Sequence, residues 1–456
     1  MKYFFFILSV TLPLLLLAQN KKISFKTGED YKPPSDAKDL SFFGNDKDGL
    51  INVYSKDAKL TIVRFNAHTL IPAGEQTITM PKASGNFNSE NVVDLNGKYY
   101  WLYSDWDRDS QKEWLGFNKI DIENGKLLPQ ANKIIETSRM AGEPTGSMFK
   151  VLLANKYTFN YSAGNKKMLV SYRLHPEKRN DKLNYDNIGL HVFDENMEKL
   201  WGAEFTMPYT EAIMDNSDFT VDDDGNAYMV AKVYSSDKRR ETDKETGKPG
   251  YHFEILKFGK ENRKIIQISL PANDNFIDNI KLLANNKNEI IITGMYAAKF
   301  KNGGYDGVFL AVLDQQNKIT QFKNGYYRFP LSELVKFENP GTRKKMEREG
   351  DYPVRNLRVR NIIAESDGST VVAMEQYDAD YKPGANNTRG YWYYYYDNIF
   401  AAKIGSDGNM EWFKKIPKQQ WGTSEYTLGY KLIPDAAGYC FLYMDNLKNL
   451  NLPEDE

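Results

Sequence analysis

Short apolar runs pair up across tight polar turns along this chain, and the pairing recurs from one end to the other. One kind of pair joins two apolar runs through a turn rich in Asn, Asp and Gly. It occurs at residues 91–104 around Asn96-Gly97, at 219–234 around Asp222-Asp223-Asp224-Gly225, at 280–296, at 362–377 around Asp367-Gly368 and at 428–443. Weaker copies lie at 40–54 and 157–172. Asn, Asp and Gly tolerate the positive φ that short hairpin turns require, so each pair is predicted to be a β-hairpin. A second kind of hairpin often closes on proline: 190–208 through Trp201, 255–271, 309–330, and 400–417 through Trp412, with earlier copies at 60–81 and, ending on Ile, 115–135.

The two hairpins together make a four-stranded unit that returns with a period of roughly 65 residues, and a sustained period indicates a repeat architecture. Solenoid repeats are shorter, at about 20–45 residues, and sandwich domains of about 100 residues would need linkers that the pattern does not contain. Radial repetition of four-stranded antiparallel units leaves only short edges. The expected fold is therefore all-β, a β-propeller of four-stranded antiparallel blades. Seven hairpins of the first kind against six of the second predict seven blades, six complete and the last partial. Residues 22–27 could pair into that last blade; alternatively, the natural gene product is longer than this chain.

The N-terminus reads differently. Lys2 is followed by an almost unbroken apolar run from Tyr3 to Leu17, then by the small residue Ala18 before Gln19. That is the three-part pattern of a secretory signal, so residues 1–18 are expected to be a signal peptide and residues 19–456 one propeller domain. No Cys follows the run, which argues against a lipid anchor, and no later stretch is apolar enough to span a bilayer. The expected location is the periplasm, the cell surface or outside the cell. The lone cysteine, Cys440, rules out an intramolecular disulfide, so stability must come from the core. Aromatic residues make up 14% of the chain, a composition that suits strands. A net charge of −1 gives no long-range attraction to nucleic acid.

The segment Ala402-Lys403-Ile404-Gly405-Ser406-Asp407-Gly408-Asn409-Met410-Glu411-Trp412 resembles the repeats of secreted bacterial β-propeller proteins: an apolar strand, an Asp-Gly turn and a Trp on the returning strand. Residues 192–201 carry a weaker copy. The resemblance implies export and a propeller, and no chemistry. The segment is one residue too short for a sialidase-type Asp box.

In such a blade, the turns within each hairpin lie on one face. The links between hairpins and between blades lie on the other. The first set is short here. The second is long, at 105–111, 174–186, 235–250, 299–306, 331–353 and 378–389. Long connections on a rigid scaffold are where binding usually resides, so the long-loop face is the expected working face. Within 331–353, the apolar spacing of 331–337 predicts a helix, and the mixed charges of 343–349 suggest a solvated cap.

Two clusters are candidate sites. The run Tyr391-Trp392-Tyr393-Tyr394-Tyr395-Tyr396, preceded by Arg389 and by the long connection that holds Tyr381, offers rings that could stack on sugars, peptides or cations. Arg389, Tyr391, Trp392 and Tyr381 are the expected ligand contacts, and Tyr394–Tyr396 the expected filling between blades. Asp105, Asp107 and Asp109 alternate in a loop where calcium could find oxygen ligands, although Arg108 and the lack of a following Gly and Glu favour a plain acidic turn. Apart from calcium no cofactor is expected. Four histidines without metal spacing, and no Gly-x-Ser-x-Gly elbow or nucleotide-binding glycine motif, leave no catalytic signature. The expected function is a non-catalytic binding or scaffold module for a protein or glycan partner at the cell envelope. Its rivals are a carbohydrate-active hydrolase or lyase with carboxylates at the central channel, and a structural subunit of an envelope complex.

Overall fold

A computed structural model describes residues 31–34, 37–45, 47, 49–129, 132–138, 140–147, 150–176, 181–260, 264–299, 303–350, 352–384, 390–425, 427–435, 438–446 and 448–449. The expected signal peptide, residues 22–27 and Arg389 lie outside these residues. Among the described residues, no helix is long and apolar enough to cross a membrane.

The chain is a β-propeller. Six sheets each run through four antiparallel strands in sequence order. The first is Lys38–Asn45, Gly49–Lys56, Lys59–Phe65 and Pro72–Thr79. The second opens with Asn88–Leu95 and Lys98–Asp107, the third with Tyr157–Tyr161 and Lys167–Arg173. The fourth opens with Met214–Val221 and Ala227–Tyr234, the fifth with Phe276–Ala284 and Ile290–Ala297. The sixth is Leu357–Ala364, Thr370–Lys382, Tyr391–Ile404 and Met410–Ile416, with Gln420–Gly422 added beside its third strand. A two-stranded hairpin, Lys431–Asp435 with Gly438–Leu442, follows.

Burial explains why these sheets need one another. All eight residues of Ala227–Tyr234 and all eight of Ile290–Ala297 are buried. A strand covered on both faces reads as a continuous apolar run, and it is stable only between two layers. Each neighbour supplies one. Ile255, Ile292 and Phe309 share a cluster between the fourth and fifth sheets, and Met295, Val359, Met374 and Phe400 share one between the fifth and sixth. Leu95, Leu115, Val170 and Phe193 fill the gap between the second and third.

Turn chemistry fixes the hairpins. Asn96 (φ 52°) and Gly97 (φ 78°) both sit in the left-handed region that a two-residue turn requires. Turn residues also join one sheet to the next. Trp201 Nε1 donates to Gly225 O at 2.6 Å, Tyr100 donates its hydroxyl proton to Glu195 O at 2.9 Å, and Asp223 N donates to Asn288 Oδ1 at 3.0 Å. The Trp of the repeat motif is thus a tie to the following blade. Asp222 accepts from Asn226 N at 2.8 Å and from the Tyr228 hydroxyl at 2.9 Å, so the Asp-Asp-Asp-Gly run serves its turn.

Several sequence expectations need correction. Two of the expected long loops begin as strand: the second strand of sheet two runs on to Asp107, and that of sheet six to Lys382, before the third strand of sheet six starts at Tyr391. The helix expected at 331–337 stops after Leu331–Leu334, and the main helix is Pro340–Glu349. Asn339 caps it by accepting from Thr342 N at 3.0 Å, Pro340 opens it, and Gly350 (φ 64°) closes it. Leu334, Val335 and Met346 of this insertion join the core between sheets five and six, while the rest of 343–349 is exposed, as expected of a solvated cap. A hairpin at Glu143–Ser147 and Lys150–Ala154 was not expected.

Candidate functional site

The second and third strands of sheet six are 13 and 14 residues long. Their pairing continues past the core, from Tyr377↔Tyr396 through Ala379↔Tyr394 and Tyr381↔Trp392 to Lys382↔Tyr391. Where the arm leaves the core, Gln376 stands opposite both Asp397 and Asn398, a β-bulge that bends the strand pair. Asn398 Nδ2 donates to Gln376 Oε1 at 2.9 Å and steadies it.

Alternation along the strands gives the arm two aromatic sides. One side carries Tyr381, Trp392, Tyr394, Tyr377 and Tyr396. Tyr381 and Trp392 meet at 5.3 Å between ring centroids, and Tyr377 and Tyr396 at 5.0 Å. Arg358 lies 4.0 Å over the Tyr377 ring at the foot of this side. The other side carries Tyr391, Tyr393 and Tyr395 opposite Lys382, Asp380 and Asp378. Tyr391 and Tyr393 are 5.3 Å apart, and Trp421 from the added strand comes within 5.7 Å of Tyr393. Tyr381, Tyr391 and Trp392 are each 48% exposed and Trp421 is 64% exposed. The structure therefore brings three expected ligand contacts together at one tip. Trp421 was missed because it follows two glutamines after the repeat had closed on Pro417, where no apolar pattern marks it. Of the tyrosines expected to fill space between blades, Tyr396 is buried, while Tyr394 and Tyr395 are partly exposed.

The foot of the arm is ionic. Glu375 pairs with Lys418 at 3.0 Å and with Arg360 Nε at 3.1 Å, and Lys418 also donates to Tyr396 O at 2.7 Å. Tyr396 donates to Glu425 at 2.6 Å; burial and that carboxylate push its phenol up to about 12. Burial moves the Lys418 ammonium below its ordinary range and the Asp397 carboxyl above its own.

Beside the foot lies a cavity of about 460 Å³ between the helical insertion and sheet six. Leu334, Met346 and Phe400 make its apolar floor, and Lys345, Arg355, Lys415, Glu338 and Glu349 its polar walls. Nothing in the linear pattern signals it, since its walls come from four separated segments.

The expected metal ligands part company. Asp105 is buried and accepts from Ser84 N at 2.8 Å and from the Ser84 hydroxyl. Asp107 accepts from Asp109 N at 3.0 Å, closing its own turn. Among the described residues no group of three His, Cys, Asp or Glu could hold a metal ion. Elsewhere two carboxylates do converge, because Glu90 and Glu113 flank Lys156, with Glu90 3.6 Å from the ammonium. Their side chains are only 5% and 7% exposed, which suits an internal ion cluster better than attack on a bulky substrate.

No protein-family model matches the sequence, and neither does any curated protein. Solved structures similar to this chain include the β-propeller domain of the Trilobed protease from Pyrococcus furiosus, with 11% identity, a TM-score of 0.35, and coverage of 85% of this chain and 96% of that one. Penicillium chrysogenum alpha-L-arabinanase complexed with arabinobiose is similar with 14% identity, a TM-score of 0.33, and coverage of 75% and 91%. An endo-arabinase from Bacteroides thetaiotaomicron gives 13% identity, a TM-score of 0.29, and coverage of 64% and 95%. Likeness at this level says nothing about ligand or chemistry.

Proposed function

We propose that the chain is an exported, non-catalytic module that captures a glycan with the aromatic arm of sheet six. One observation carries this reading: the two longest strands of the fold leave the core together and hold Tyr381, Tyr391 and Trp392 half exposed at their tip, with Trp421 alongside. Large exposed rings on a rigid element are favourable for nothing in the isolated fold, and flat aromatic surfaces beside hydrogen-bonding groups suit sugar rings. Asp378, Asp380 and Lys382 supply those groups across the strand pair. The export signal at 1–18 agrees with a ligand met outside the cytosol.

The test is glycan capture by the full chain on an array, followed by titration of each hit. Replacing Tyr391 and Trp392 together with Ala should weaken capture by about 100-fold, or about 2.8 kcal/mol. The melting temperature should barely move, because neither ring belongs to the core. Unchanged capture, or loss of folding, would refute the assignment.

A further inference from the structure

The ionic groups on the long-loop face fall into two classes. Most are consumed by partners. In the 310 Å³ cleft between the third and fourth sheets, Arg173 bonds Asp186 at 2.5 Å and pairs with Glu211, while Arg239 bonds Asp215 at 2.6 Å. Lys156 is enclosed by Glu90 and Glu113. The cavity beside the aromatic arm is different. Lys415 is only 5% exposed and is engaged by Glu338 at 2.7 Å and by Leu334 O at 3.1 Å. Arg355 and Lys345 pair with no carboxylate among the described residues, and Glu349 with no cation, so the lining carries one positive charge in excess. Arg355 is held from behind, since its backbone carbonyl accepts from Gln376 Nε2 at 3.1 Å and its strand pairs with Gly304–Tyr305. Its side chain is exposed and bonds to no described residue, and a free guanidinium fork at the wall of a cavity fits a carboxylate.

The cavity also has a defined relation to the arm. Gln376 lines it, and alternation along that strand puts Asp378, Asp380 and Lys382 on the same side, opposite Tyr395, Tyr393 and Tyr391. The track from the cavity mouth to the tip is six strand residues, on the order of 20 Å at ~3.3 Å each. Its upper part is aromatic with Trp421 alongside, and its lower end opens on a volume within the range of small-ligand sites.

We infer that the glycan is acidic: an oligosaccharide bearing uronic acid, whose sugar rings lie along Tyr391, Tyr393 and Trp421 while one carboxylate enters the cavity and pairs with Arg355. Lys345 adds charge at the mouth, and Tyr352, 41% exposed at the cavity wall, offers a ring to the sugar that enters. This assignment rests on the glycan reading above and adds the charge of the ligand and the group that reads it.

The experiment is calorimetric titration of the full chain with tetramers of galacturonate, mannuronate and glucuronate, each in its acid form and with its carboxyls methyl-esterified. At least one acid form should bind 10-fold or more tighter than its ester, with the gap narrowing as salt rises. Arg355→Ala should abolish that gap by weakening acid binding 10-fold or more, with ester binding changed far less and the melting temperature unmoved, because the backbone bonds of residue 355 remain. Arg355→Lys should restore part of it. Tyr391→Ala combined with Trp421→Ala should weaken acid and ester alike. Equal binding of acid and ester, persistence of the gap in Arg355→Ala, or binding confined to neutral glycans would overturn the inference while sparing the glycan reading. Failure of every glycan to bind would overturn both.

Discussion

At the scale of single residues, neighbours decide what a side chain is free to do: Tyr381, Tyr391 and Trp392 are each 48% exposed, whereas Asp105 is buried against Ser84. Tyr391 and Trp392 could be expected at the surface because a six-residue aromatic run is hard to bury whole, and both are exposed. Asp105 and Asp107 read as an acidic turn with calcium as the lesser option, because alternate carboxylates look alike in either role; Asp105 accepts from Ser84 and Asp107 from the Asp109 amide. His191 was passed over for lack of metal spacing, and it is a core residue. Its Nε2 lies 3.1 Å from the Tyr172 hydroxyl, and burial, aided by Lys199, lowers its pKa from 6.5 to about 3. The unfolded chain therefore takes up a proton at this site between pH 6.5 and 3 that the folded chain refuses. Its contribution to stability is complete above pH 6.5 and drains away as pH falls toward 3. Urea unfolding of the parent and of His191→Gln should show the parent's relative advantage shrinking by on the order of 3 kcal/mol between pH 7 and pH 4. A constant difference at the two pH values would contradict this account of the residue.

At the scale of elements, hairpins were easier to read than their lengths. Turns such as Asn96-Gly97 announce themselves through the backbone angles they need. The aromatic arm did not, because Asp378 and Asp380 are poor strand formers and read as loop. Cross-strand neighbours outweigh that preference, since each aspartate faces a tyrosine across the ladder. The helical insertion was displaced for a related reason: apolar spacing at 331–337 suggested a helix, while the stronger signals, Asn339-Pro340 before it and Gly350 after it, mark the one that forms. Within the arm, Gly390 lies against the Tyr381 ring and the Lys382 carbonyl, leaving no space for a methyl group. Gly390→Ala should therefore displace Tyr381 from Trp392. The expected outcome is a change in tryptophan fluorescence and about 10-fold weaker glycan capture, with an unaltered unfolding midpoint. An unchanged spectrum would mean that the tip tolerates the methyl group.

At the scale of the whole molecule, the repeat was the most legible property of all. Every hairpin read from the sequence has its counterpart in the sheets, because the period follows from burying each sheet between two others. Such a molecule is close to one-dimensional in its energetics, with each sheet stabilised mainly by its nearest neighbours. Phe309, fully buried between the fourth and fifth sheets, provides a test. Phe309→Ala should cost about 3–5 kcal/mol. Amide exchange should accelerate first in 276–297 and 227–258, and only later in the first and second sheets; uniform acceleration would point to a single cooperative block instead. The arm adds a further consequence. It is built from the same two strands that fill the sixth sheet, each continuous past the bulge at its root. Whatever settles on those rings meets a fixed spur that neither folds over its cargo nor swings to meet it. Capture would then proceed at the pace of collision, and release would depend on the strength of the grip alone.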